Sequence, residues 1–194
     1  MAQQTVRADF AATPAPAFIR LFANWVVASA DNHGMSFLVL DKVSAQVFAF
    51  DRLGKILGAT PALLGAAQGD DSVPGVGNKP LSAIKMSERT TPAGRFVSSL
   101  GRDLGVKNIL WVDYPNAISL HRVVKGTKKD RRLERLATPT AQDNRISFGC
   151  INVPVNFFDS VVETAFTGAS GVVYILPEKR KLVEVFPTYR DIAS

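Results

Sequence analysis

A single cysteine and two histidines are the entire stock of thiol and imidazole in this 194-residue sequence. One thiol excludes an internal disulfide and a thiolate-based metal cluster, and it leaves the redox compartment open. Long apolar runs are missing as well. No stretch approaches the roughly 18 apolar residues of a bilayer-spanning helix, so the chain does not read as an integral membrane protein. The opening segment, MAQQTVRADFAATPAPAF, has no basic region followed by an apolar one, the mark of a secretory signal, although a mature chain would look the same. Acid is the scarcer sign of charge: 17 Asp and Glu face 23 Lys and Arg, a formal net charge of +6. That balance favours an anionic partner, whether nucleic acid, a membrane surface or an acidic polymer.

What is present suits one domain with a buried core. Residues 1–16, with Pro14 and Pro16 and little periodicity, read as a surface tail. Phe18, Leu21, Phe22, Trp25 and Val26 then recur at intervals of three and four, which predicts an amphipathic helix docked on the core and stopped by DNHG at 31–34. MSFLVLDKVSAQVFAFDRLGKIL predicts three strands with turns at 41–44 and 51–54, and residues 65–84 predict a long loop. TTPAGRFVSSLG predicts a turn and a strand, and NILWVDY and AISLHRVV two more strands about a Pro115-Asn116 turn. LATPTAQDN reads as a polar loop. Phe157, Val161, Val162 and Ala165 predict a second helix, and GVVYILPE a buried strand. Strands with a few helices make an all-β or α+β domain.

Much of the positive charge lies in HRVVKGTKKDRRLER, where Arg122, Lys125, Lys128, Lys129, Arg131, Arg132 and Arg135 are interrupted by Asp130 and Glu134. The ordinary reading of such a run is a solvated loop or helix face. No aromatic residue lies between Arg122 and Arg135, so the run lacks the stacking groups of a single-strand binder. A nucleic-acid partner is not expected.

A lone cysteine is more often a buried filler than a nucleophile. Cys150 sits in RISFGCINVP, beside Gly149 and ahead of Asn152 and Pro154 rather than inside an apolar run. Gly149 allows a sharp turn and keeps space open beside the thiol. An acyl-transfer cysteine also needs a base or a positive charge nearby, because at its usual pKa of about 8.5 little is thiolate at neutral pH. His33 falls in the turn after the first helix. His121 falls on a strand, where alternation puts it on the face opposite Leu120, projecting toward a cleft or packing beside the core. On these residues alone the ordinary reading of each prevails, a solvent-facing turn residue for His33 and a neighbour of the core for His121.

SLHRVV followed by SFGCINVP resembles the signature of the L,D-transpeptidase catalytic domain, also called the YkuD domain: a histidine, a spacer, then Ser/Thr-His-Gly-Cys-hydrophobic-Asn/Arg. ERTTPAGRFV is similar to that family's Thr-Pro-x-Gly-x-Phe element. FLVLDKVSAQVFAFDRLGKILG and FTGASGVVYILPE are similar to its opening and closing strands. The resemblance implies a mainly β (α+β) fold, an L,D-transpeptidase-like β-sandwich of mixed sheets with a few packed helices. It implies a catalytic domain over 35–178, with the tail at 1–16, a helix at 17–34 packed on it and a C-terminal extension at 179–194.

By the same resemblance Cys150 is the nucleophile and His121 its base, with the imidazole oriented by the carbonyl of Arg122. Ser147 takes the motif's hydroxyl position, bonding around the imidazole or fixing the loop. The Cys150 N–H, with Gly149 allowing close approach, is the implied oxyanion donor, and Asn152 fills the motif's last position. Phe148 departs from the family's histidine, Arg122 from its usual glycine, and the spacer is long. The implied activity is cysteine-dependent acyl transfer on peptidoglycan stem peptides in the periplasm or cell envelope, without metal or cofactor and open to acylation by a carbapenem. The alternatives are an L,D-carboxypeptidase or amidase acting on the same bond and a non-catalytic wall-binding module on the same fold. Lys128, Lys129, Arg131 and Arg132 are the expected substrate flap. The oligomeric state is not indicated.

Overall fold

The computed structural model describes residues 6–102 and 108–191; residues 1–5 of the expected tail and 192–194 of the expected C-terminal extension lie outside the described residues. The first helix, α1 (Ala17–Ala28), starts behind Pro16 and buries Ile19, Phe22, Ala23, Trp25 and Val26. Phe18, expected on the buried stripe, is 48% exposed. The apolar face is rotated toward Ile19, one position along, because the sheet meets the helix on that side.

Strands β1 (Phe37–Asp41), β2 (Gln46–Phe50) and β3 (Ile56–Pro61) form an antiparallel meander. Its second turn is held by the Asp51 carboxylate, which accepts the N–H groups of Leu53 (2.8 Å) and Lys55 (2.9 Å). A short β4 (Leu64–Gly65) pairs in parallel with β8 (Arg145–Ser147). The long loop between them and the next strand contains three single 3₁₀ turns, at Val76–Asn78, Leu81–Ala83 and Met86–Glu88. Then follow β5 (Gly94–Arg102), β6 (Asn108–Asp113) and β7 (Ile118–Arg122), an antiparallel run. The basic segment holds a short helix, α2 (Arg132–Ala137), and the expected polar loop includes a 3₁₀ turn at Ala141–Asn144. β9 (Ile151–Val153) carries the cysteine motif's end, and β10 (Gly171–Ile175) is buried along its whole length.

These strands make one eight-stranded sheet, ordered β3-β2-β1-β10-β5-β6-β7-β9, beside the two-stranded β4-β8 pair. It is mixed: β1 with β10 and β7 with β9 are parallel, the rest antiparallel. Period-two alternation splits its side chains between two cores. One face presents Leu38, Leu40, Leu120, Ile151 and Val173 to the helical segment 155–166, which replies with Phe158, Val162 and Phe166. The expected stripe there was Phe157, Val161, Val162 and Ala165. Val162 is fully buried as expected, but a π-turn at Phe158–Val162 resets the phase, so Phe158 and Phe166 join it while Phe157, Val161 and Ala165 are partly buried.

The other face presents Phe37, Val39, Phe48, Phe50, Val172 and Tyr174 to α1 and to Phe186 of the C-terminal stretch. This cover stops at β10. Farther along the same face Val97 on β5 is 60% exposed and Trp111 on β6 half-buried, while Ser119 on β7 and Asn152 on β9 are buried. Among the described residues no helix is long and apolar enough to cross a membrane.

One ionic group is sealed inside. Lys42, fully buried, donates from Nζ to Asp70 (2.7 Å), to Gly69 O (2.5 Å) and to Thr91 O (3.0 Å). Asp70 also accepts the backbone N–H groups of Glu178, Lys179 and Arg180. Burial pushes the Asp70 carboxyl up, but the ammonium and three N–H donors outweigh it and hold it down at about 2. The same burial lowers Lys42, only partly countered by Asp70 and Glu178. A carboxylate depressed from its unfolded value of about 3.9 contributes stability that is complete above that pH and is lost as pH falls through the folded value.

Asp70→Asn, which strands a buried ammonium, is expected to cost about 3–5 kcal/mol at pH 7. It should also remove much of the loss of stability that the unaltered protein shows between about pH 4 and pH 2. Urea unfolding across that range checks both; matching curves for the two proteins would refute the role of the pair.

Candidate active site

The half of this sheet face beyond β10 brings Cys150 and His121 together. In the parallel β7–β9 ladder Leu120 pairs with Ile151 and His121 with Asn152. Matching positions face the same side, so Leu120 and Ile151 enter the core while Ser119, Cys150, His121 and Asn152 occupy the opposite face. Ser119 Oγ lies 3.5 Å from Cys150 Sγ, and Sγ lies 3.5 Å from the carbonyl of Ala117.

His121 Nδ1 is 2.8 Å from the carbonyl of Arg122. A carbonyl only accepts, so Nδ1 carries a proton and Nε2 is left for the thiol. Burial pulls the imidazole down, yet its hydrogen bond and charge interaction with Cys150, helped by the Arg122 carbonyl, raise it above its ordinary value; Arg132 opposes. Burial pushes the thiol up, yet His121, seconded by Ser119, brings it below its ordinary value. Both shifts run toward thiolate and imidazolium, the state in which cysteine is nucleophilic and the neighbouring ring holds a proton to give.

The loop carrying the thiol is fixed by hydroxyls. Ser147 Oγ donates to the Cys150 carbonyl (2.6 Å) and accepts the Gly149 N–H (3.1 Å). Of its two expected roles, bonding around the imidazole or fixing the loop, these contacts are of the second kind. They also commit the Gly149 N–H to Ser147. Gly149 has φ +130°, and a Cβ there would lie 2.8 Å from Ile118 Cδ1 and 2.9 Å from Thr90 O. Both the backbone angle and the space demand glycine.

Thr91, fully buried, donates from Oγ1 to the Gly149 carbonyl (2.7 Å) and accepts the Gly65 N–H (2.9 Å). It clamps the thiol loop to β4, a role with no local signal in the sequence beyond its place at the head of the Thr-Pro-x-Gly-x-Phe element. Ser119 has such a signal, alternation, since it precedes His121 by two on the same strand face.

Asn152 Nδ2 is 3.4 Å from His121 Nε2 and 3.4 Å from the Cys150 carbonyl, and its Oδ1 accepts from Arg132 Nη1 (3.1 Å). Arg132 thus orients the amide. The expected basic flap divides: Arg132 turns inward to Asn152, Arg131 pairs with Glu134, and Lys128 and Lys129 are exposed. Arg122 contributes only its carbonyl to the site. Its side chain leaves by the other face, bonded to Asp159 (2.5 Å) and Glu163 (2.9 Å) and lying 4.2 Å from the Phe158 ring centre. Phe148 carries the Arg89 guanidinium 3.9 Å above its ring. His33 is exposed in a left-handed turn, φ 50°. Among the described residues no group of three or more His, Cys, Asp or Glu could hold a metal ion.

No family model and no curated protein matches the sequence. Among solved structures the chain is similar to a mutant of the helical cell shape determining protein Pgp2 from Campylobacter jejuni, with 14% identity, TM-score 0.48, and 75% of this chain and 48% of that one covered. It is similar to the L,D-transpeptidase from Xylanimonas cellulosilytica at 12% identity and TM-score 0.42, covering 73% of this chain and 60% of that one. It is also similar to LD transpeptidase LdtMt1 in complex with imipenem at 14% identity and TM-score 0.39, covering 73% and 58%. The chain spans about half the length of the Pgp2 structure.

Thiol alkylation followed against pH should show a midpoint below the ordinary cysteine value, and His121→Ala should move it up toward about 8.5. An unmoved midpoint would mean that the imidazole does not poise the thiol. Thr91→Val keeps the shape but deletes the hydroxyl, and should cost about 1–3 kcal/mol in denaturant unfolding with Thr91→Ser retaining most of it. Equal stability of all three proteins would dismiss the clamp.

Proposed function

We propose that this chain is a cysteine acyltransferase of the L,D-transpeptidase type, acting on peptidoglycan stem peptides in the periplasm or cell envelope. The observation that carries the reading is the Cys150–His121 pair on adjacent parallel strands, with the thiol lowered, the imidazole raised and Nδ1 held by the Arg122 carbonyl. A structural cysteine has no need of such an arrangement.

The Cys150 thiolate attacks the carbonyl that joins the L-centre of the stem's diamino acid to its terminal D-alanine. Negative charge moves to the carbonyl oxygen, where the Cys150 N–H receives it; a preorganised donor of this kind is worth roughly 3 kcal/mol in acyl transfer. As the C–N bond breaks, the His121 Nε2 proton goes to the departing D-alanine amine, leaving a thioester and a neutral imidazole. An acceptor amine then attacks the thioester, gives its proton to Nε2 and releases the thiolate. The side-chain amine of a second stem yields a 3→3 cross-link, and water in its place yields the carboxypeptidase outcome. Exposed Lys128 and Lys129 beside the Arg132 arm provide a positive field for the anionic stem.

Incubation with a carbapenem should add one drug mass per chain, and Cys150→Ala should abolish the adduct. Digestion of labelled sacculi, with the muropeptides read by mass at low and high salt, should show release of D-alanine and stem-dimer or stem-tripeptide products, weaker at high salt. Muropeptides unchanged by the unaltered protein, or changed equally by Cys150→Ala, would end the proposal; products insensitive to salt would remove the lysines from it.

A further inference from the structure

On the sheet face that holds the thiol, a row of side chains runs away from it. Ser119 touches Cys150 Sγ at 3.5 Å, Ser119 is the register partner of Trp111 on β6, and Trp111 is the register partner of Ser99 on β5. Two strand spacings separate Cys150 from Trp111, about 10 Å.

The far end of this row is shaped for a ring. Gly101 underlies Trp111: a Cβ there would stand 2.7 Å from indole Cδ1, so a glycine is what lets the indole lie against the strand. Tyr114 meets Trp111 edge-on at 4.9 Å and is itself 73% exposed. Trp111, Tyr114, Val97, Ser99, Asp113 and Pro115 line an open groove of about 560 Å³. The cation at its border, Arg95, is spent on Asp31 at 2.7 Å, and Asp113 holds Asn116 at 2.8 Å. An exposed tyrosine and a half-buried indole, with hydroxyl and amide groups at the rim, suit a ligand that is apolar on its flat side and polar at its edge, and they offer little to a free carboxylate.

We infer that Trp111 and Tyr114 form a sugar subsite, on which the N-acetylated pyranose bearing the stem peptide stacks while the stem runs along the row to Cys150. The inference rests on the acyl-transfer reading for its substrate. Length agrees: three stem residues lie between that sugar and the scissile carbonyl, and three extended residues span about 10 Å. The stem's carboxylates are left to the basic side of the site, around Arg132.

The test compares kcat/KM on a stem tetrapeptide alone with the same tetrapeptide attached to its disaccharide. The unaltered protein should prefer the disaccharide-bearing substrate, and Trp111→Ala should shrink that preference about tenfold, with Trp111→Phe keeping most of it. No preference in the unaltered protein, or one preserved in Trp111→Ala, overturns the subsite while leaving acyl transfer standing. If neither substrate turns over, the acyl-transfer reading has failed, and the disaccharide itself becomes the probe. Of the two tryptophans Trp25 is 3% exposed, so a change in emission on adding the disaccharide reports Trp111. A change that disappears in Trp111→Phe supports the subsite; none in the unaltered protein overturns it.

Discussion

The parallel pairing of β7 with β9 is the constraint from which the candidate site follows. Parallel neighbours cannot be joined by a hairpin and need a crossover, and residues 123–150 are that crossover. In the ladder Leu120 faces Ile151 and His121 faces Asn152, so thiol and imidazole meet because two strands are in register. A slip of one residue would send Cys150 into the core and Ile151 into the cleft. Leu120, Ile151 and Val153 are each almost wholly buried, and their packing on one side of the sheet enforces the geometry on the other. The long basic spacer then has a structural reason. It is the return path of the crossover, and it brings Arg132 back to Asn152.

Register alone would leave the thiol on a mobile loop end, and buried polar bonds prevent that. Lys42 donates to the Thr91 carbonyl, the Thr91 hydroxyl donates to the Gly149 carbonyl, and Ser147 closes the turn onto Cys150. The ionic group sealed at the end of β1 is thereby two bonds from the loop that carries the thiol. Burying Lys42 and Asp70 is expensive unless every partner is present, and the completeness of their bonding makes this corner stiff. Stiffness is of use where a sulfur must be held against an imaginable reacting carbon to a fraction of an ångström.

How much of this the sequence disclosed depends on whether the signal is local. Alternation in ISLHRVV placed His121 opposite Leu120, and apolar runs bounded by turn residues located the strands. Periodicity found both main helices but not their exact faces. Ile19 replaces Phe18 because tertiary contact sets the rotation of α1, and Phe158 enters the core because a π-turn resets the helix phase. Contacts made by chain return were invisible. Thr91 reaches Gly149 across 58 positions and Arg132 reaches Asn152 across 20, and no short-range pattern encodes either. The lysines and arginines of the basic run looked equivalent as letters, yet a crossover has an inner and an outer side, and only Arg132 is turned inward to the site.

The same distinction applies to Phe148, where the resembled motif carries a second histidine. Its ring supports the Arg89 guanidinium at 3.9 Å, and Arg89 is further tied to the Ile84 carbonyl. A positive group remains next to the motif, but its character differs. An imidazole there would titrate near neutrality and couple to the His121–Cys150 pair, giving the site a third ionisation. A guanidinium stays charged throughout the range in which proteins fold. Phenylalanine at 148 thus sets beside the thiol loop a guanidinium held in place by an aromatic face.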